Sequence, residues 1–189
     1  MIAIDQSALL VIDIQDSFKV GERWERRNNP KFEENVAALI AAYRRAGLPV
    51  FYVLHSDADG DEWRTTSPHY KLMDFLKPLE NEPLLHKTSR NAFTSTNLQR
   101  RLTQLGVRRL IVTGIQTEQC CETTARVGAD LGYDVDFVTE ATLTFPIQLD
   151  PGDWSRALPA DAVVERTEYA LRRRFARIAT VREILDQVA

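Results

Sequence analysis

Residues 108–129 read RRLIVTGIQTEQCCETTARVGA. The pattern predicts an apolar strand over residues 110–112, a turn at Thr113 and Gly114, and then a helix. Thr117 is the expected N-cap, because a threonine oxygen can accept from the first free amides of a helix. That count places Cys120 in the first helical turn and Cys121 one step further round. A thiol there meets unsatisfied backbone N–H groups at the positive end of the helix dipole, which favours the nucleophilic thiolate. A cysteine nucleophile then needs a base, an orienting group and a pocket from the rest of the chain.

Working outward, residues 8–14 (ALLVIDI) form a continuous apolar run holding one acid, Asp13. Unbroken hydrophobicity suits a strand covered on both faces, as in a parallel sheet. Residues 15–29 are polar and read as a long loop containing Phe18 and Trp24. Pro30 opens a helix whose apolar stripe is Phe32, Val36, Leu39, Ile40 and Tyr43, stopped by Gly47 and Pro49. A second strand over residues 50–54 ends at His55. Residues 56–83 are irregular, with a short helix expected at 70–77. A strand over 84–87 ends at Lys87, and Thr94 or Ser95 caps a helix bearing Leu98, Leu102 and Leu105. Beyond the cysteine helix come a strand at 135–139 and a loop over 141–159 containing Trp154. A helix over 160–174, a strand over 175–180 and a helix over 181–188 complete the chain. This alternation predicts one α/β domain: a three-layer, doubly wound arrangement around about six largely parallel strands.

Composition excludes several function classes. The chain is 44% hydrophobic and 27% charged with a formal net charge of −3, so no bulk basic character points to nucleic acid. No apolar run approaches a membrane span, and the N-terminus lacks a basic start followed by an apolar block. The two cysteines are adjacent and poorly placed for a structural disulfide, so a reduced, cytoplasmic setting is expected. His55, Asp57, Asp59 and Asp61 suggest a metal loop, but position twelve counted from Asp57 is Pro68 where an EF-hand needs a glutamate. These acids read as solvated loop, and no metal or other cofactor is expected.

Asp13, Lys87 and Cys120 each fall at the carboxyl end of a predicted strand, where open α/β sheets place their ligand sites. Lysine near a thiol stabilises thiolate, and a carboxylate can take the thiol proton and hand it to a leaving amine. Cys121, Ala125, Gly128 and Gly132 make a small-residue stripe suited to packing on the sheet, which leaves Cys120 to face the strand ends. In LLVIDIQDSF (residues 9–18), KTSRNAFTSTNL (87–98) and VTGIQTEQCCETTARVGADLGYDV (112–135) the chain resembles the isochorismatase-like cysteine hydrolases. That resemblance covers nearly the whole chain in order and spacing. It implies an α/β fold, a catalytic triad of Asp13, Lys87 and Cys120, and a cis peptide at Ile115–Gln116. It also implies an oxyanion hole from the N–H groups of Gln116 and Cys120, and a homodimer or homotetramer.

Nicotinamidases in that family carry an Asp-x-His metal pattern after the second strand, which VLHSDADGDEW (residues 53–63) does not match. Retention of Cys120 favours amide or carbamoyl hydrolysis of a small molecule. The alternatives are an isochorismate-type vinyl-ether hydrolase using Asp13 as acid, and a non-catalytic binding module on the same fold. Phe18, Trp24 and Trp63 are candidates for lining the substrate pocket, with Gln116 and Gln119 as candidate polar contacts. Arg90 reads more strongly as solvated surface.

Overall fold

A computed structural model describes residues 2–189. Six strands, β1 (Ser7–Ile12), β2 (Val50–His55), β3 (Leu84–Lys87), β4 (Arg109–Ile115), β5 (Asp134–Leu143) and β6 (Arg177–Ile178), form one sheet in the order β3-β2-β1-β4-β5-β6. Every pairing is parallel. The helices are α1 (Phe32–Arg45), α2 (Leu98–Gln104), α3 (Glu122–Asp130), α4 (Ala160–Leu171) and α5 (Val181–Val188). Along β1, Leu9 and Val11 face one core with α1 and α5, while Ala8, Leu10 and Ile12 face a second core with α2 and α3. Both faces are therefore buried, as the unbroken apolar run requires. Phe32, Val36, Leu39 and Tyr43 of α1 are fully buried. Each such apolar side chain contributes about 1.5–3 kcal/mol of transfer free energy.

Strand order reverses between β1 and β4, which opens a crevice at their carboxyl ends. Gly114 lets the two strands close up there. It pairs with Ile12, and a Cβ at Gly114 would lie 2.0 Å from the Ile12 carbonyl oxygen, at φ +133°. The expected turn at Thr113 and Gly114 is thus interior strand. Only glycine combines that conformation with that approach.

Several expected boundaries move for tertiary reasons. Residues 70–77 are not helical: the Asp16 N–H donates to the Lys71 carbonyl and the Met73 N–H to the Ile14 carbonyl. This antiparallel strip seats Met73 and Leu76 in the core. β5 runs on to Leu143, and Thr142 and Leu143 pair with Gly114 and Ile115 at the end of β4 after a register shift. α2 starts at Leu98 because Ser95 Oγ instead accepts the N–H groups of Thr88 and Ser89, and Leu105 is 59% exposed. Two short 3-10 turns, Asp16–Lys19 and Glu22–Arg26, break up the loop after β1. α4 stops at Leu171, so Arg172–Arg174 form a turn, and β6 is two residues long. Gly132 is exposed beyond the end of α3, whereas Cys121, Ala125 and Gly128 are the packed stripe.

Candidate active site

Three strand ends deliver the three expected groups to one point. Asp13 follows β1 directly. Its N–H still pairs with the Val53 carbonyl, and its φ of 52° lies in the left-handed region that aspartate tolerates. Lys87 is the last residue of β3, in register with His55 at the end of β2. After β4 the Ile115–Gln116 peptide is cis, at the bond the resemblance implies. The chain then enters a wide π-type turn, Thr117–Cys121, in which the Cys121 N–H reaches back to the Gln116 carbonyl. Such turns recur at functional positions. Thr117 does not cap the helix: its hydroxyl donates to Thr142 Oγ1, tying the turn to β5.

Lys87 Nζ lies 2.8 Å from Asp13 Oδ2 and donates to Cys120 Sγ at 3.3 Å. Lys87 and Asp13 are fully buried, and Cys120 is 5% exposed. Asp13 Oδ1 accepts no hydrogen bond. Burial raises the Asp13 carboxyl above its ordinary value, against the opposing pull of Lys87. Burial also pushes the Cys120 thiol up to about 12; the Asp13 charge adds to that, and Lys87 opposes it. The helix start therefore does not yield a resting thiolate, contrary to the expectation from local sequence. Loss of solvent and a neighbouring carboxylate outweigh the dipole of one helical turn. Cys121 is completely buried in the apolar core, and its thiol is raised further by the same burial.

A cavity of about 230 Å³ opens above the thiol. Asp13, Gln116, Gln119 and Cys120 line its base, and Phe18 and Trp63 line a wall. These two rings meet edge to face at 4.8 Å. Trp24 is not brought to this cavity. It packs partly buried against the core, tilted on Phe145, with the Arg27 guanidinium 4.5 Å from its ring. The rim holds groups that the sequence reading treated as surface or solvated loop. Arg90 Nη1 is 2.6 Å from His55 Nε2, and Arg90 Nη2 is 3.2 Å from Asp57 Oδ2. Arg23 and Asp59 complete the rim. Burial, aided by the Lys87 charge, lowers the His55 pKa, so the ring is neutral and can accept from Arg90. The strand-end rule that selected Lys87 applied equally to His55. Among the described residues no three His, Cys, Asp or Glu side chains are arranged to hold a metal ion. At His55 and Asp57 a guanidinium already supplies the positive charge.

Residues 7–183 match the isochorismatase domain family. The chain is 30% identical over 182 residues to the uncharacterized isochorismatase family protein YddQ of Bacillus subtilis, covering 95% of this chain and 98% of that protein. It is 32% identical over 157 residues to nicotinamidase 3 of Arabidopsis thaliana, covering 76% of each. The crystal structure of an isochorismatase-family protein from Chromobacterium violaceum superposes with a TM-score of 0.88 at 28% identity, covering 99% of this chain and 95% of that one. A doubly wound parallel sheet, the matching segments at its carboxyl edge and these relatives converge on one assignment: the chain belongs to the isochorismatase family of hydrolases.

Proposed function

We propose that this chain hydrolyses the C–N bond of a small amide or carbamoyl compound through a thioester on Cys120. The observation that carries this reading is the Lys87 ammonium lying between Asp13 Oδ2 at 2.8 Å and Cys120 Sγ at 3.3 Å, beneath a cavity of about 230 Å³. That volume is below the roughly 300–1,000 Å³ of drug-sized sites and favours a small substrate. The similarity to a nicotinamidase supports amide chemistry.

The thiol is un-ionised at rest, so ionisation accompanies attack. Asp13 takes the thiol proton as sulfur bonds to the carbonyl carbon. A carboxyl raised by burial is a better proton acceptor than a surface carboxylate. Lys87 holds the negative charge as it moves between oxygen and sulfur. The N–H groups of Gln116 and Cys120 receive the oxyanion of the tetrahedral intermediate. Asp13 returns the proton to nitrogen as the C–N bond breaks. It then deprotonates the water that hydrolyses the thioester, which releases the acid and the free thiol.

The raised Asp13 carboxyl also favours a second reading, protonation of a vinyl ether by Asp13 with Cys120 uninvolved. Cys120→Ala separates the two. On a panel of small amides and carbamoyl compounds the variant should lose at least about 10³-fold in turnover. Acid-quenched native chain should show the acyl mass on the peptide containing Cys120. A variant that retained hydrolysis would sink the thioester route.

A further inference from the structure

We propose that the chain carries a second binding site, for a phosphate-bearing anion, at the amino ends of β4, β5 and β6. A cavity of about 530 Å³ lies there, lined by Arg109, Arg172, Arg173, Arg174 and Arg177 together with two acids, Asp134 and Asp136. It lies at the far edge of the sheet from Cys120. The seven residues of β4 separate the two edges by roughly 20 Å at about 3.3 Å per residue.

The two acids in the walls are already committed. Asp136 pairs with Arg109 and with Arg177, accepting from the Nε of each at 2.6 Å. Asp134 accepts the backbone N–H of Ile2 at 2.9 Å. The cations exceed them. Arg172 reaches Glu168 only at 3.8 Å, and Glu168 also accepts the Thr139 hydroxyl at 2.7 Å. Arg173 and Arg174 make no ion pair among the described residues. Arg177 Nη2 is buried and donates to nothing. A buried donor without an acceptor is uncommon in folded chains, and since the Arg177 side chain is 30% exposed, a turn of its guanidinium would bring this donor to an anion in the cavity.

The backbone adds an independent observation. Arg173 sits at φ +67°, in a tight turn where the N–H groups of Arg174, Phe175 and Ala176 all converge on the Leu171 carbonyl. Glycine or asparagine suits that conformation better. The turn thus places three consecutive arginines on the cavity in a conformation that costs stability. Guanidinium forks match the several acceptor oxygens of a phosphate, and a phosphate answers several of them at once.

Isothermal titration calorimetry of the full chain with inorganic pyrophosphate, at fixed low ionic strength, tests this. Saturable binding is expected, weakened at least about tenfold in Arg173→Gly/Arg174→Gln. Glycine suits the turn, so this variant keeps the fold. Arg45→Gln/Arg100→Gln removes the same charge from exposed positions elsewhere and should bind like the native chain. A parallel titration with ADP distinguishes sources: equal affinity assigns a free phosphate group, and tighter binding assigns a phosphate carried on a nucleoside. The proposal falls if pyrophosphate shows no saturable heat up to about 10 mM. It also falls if the two variants weaken binding alike.

Discussion

Replacing Lys87 with methionine keeps a long side chain in the same buried slot and removes only the ammonium. In the native chain that ammonium lies 2.8 Å from Asp13 Oδ2, with both side chains at most 1% exposed. Deleting one member of such a pair leaves the other as an uncompensated buried charge, at a cost of about 3–5 kcal/mol. Protonation of Asp13 would relieve that cost, so the loss depends on pH. Burial already lifts the Asp13 carboxyl with the ammonium present, and removing Lys87 lifts it further. A carboxyl whose folded-state pKa exceeds its unfolded value contributes stability fully below the unfolded value, near 4, and loses it as pH rises through the folded value. The gap between native chain and Lys87→Met should therefore widen as pH rises above the folded-state value of Asp13 in the native chain, by up to about 1.4 kcal/mol per pH unit. Urea unfolding followed by circular dichroism at several pH values measures this directly, provided the slope on denaturant is unchanged. A gap below about 1 kcal/mol, or one that stays flat with pH, would refute the buried-pair reasoning.

Two further outcomes follow from the same geometry. Gly114→Ala places a methyl 2.0 Å from the Ile12 carbonyl oxygen at φ +133°, so β1 and β4 must separate. A loss of about 3 kcal/mol is expected, read as a lowered calorimetric melting temperature; an unchanged temperature would contradict the close approach. The Cys120 thiol, pushed up to about 12, should be alkylated by iodoacetamide at a rate still climbing at pH 10 in the absence of substrate. A plateau near the ordinary thiol value of about 8.5 would contradict the burial argument.

The candidate site was legible because parallel sheets gather strand ends, and three chemically distinct residues fall at the carboxyl ends of three predicted strands. Choosing Cys120 over Cys121 followed from the small-residue stripe, which the packed Ala125 and Gly128 bear out. The thiol's protonation was misread because a helix start is a local feature, whereas its solvent exclusion and the Asp13 charge come from strands remote in sequence. Residues 70–77 carry helix-compatible composition, yet their backbone partners lie at Ile14–Asp16, beyond any local window. Thr117 looked like a cap until β5 supplied Thr142 as its partner. Arg90 looked like surface because exposure of a long side chain says little about where its guanidinium ends. Trp24 shows the reverse: a loop aromatic near the site in sequence is taken up by packing against Phe145 and the core.

Gln15 has a mechanical consequence for the mouth of the cavity. Its amide clamps both backbone groups of His55, donating to the carbonyl at 3.0 Å and accepting the N–H at 2.8 Å, so the segments leaving β1 and β2 start as one piece. Ser17 extends the stitch, accepting from Gln15 and facing the carbonyls of Glu62 and His69. The wall carrying Phe18 and the wall carrying Trp63 are thereby laced together, and neither can swing as a separate flap. Entry then depends on side-chain movement at the rim, where Arg23 and Arg90 stand. The two walls of the cavity are thus one hydrogen-bonded unit, and the exposed side chains at its mouth are the parts not tied into it.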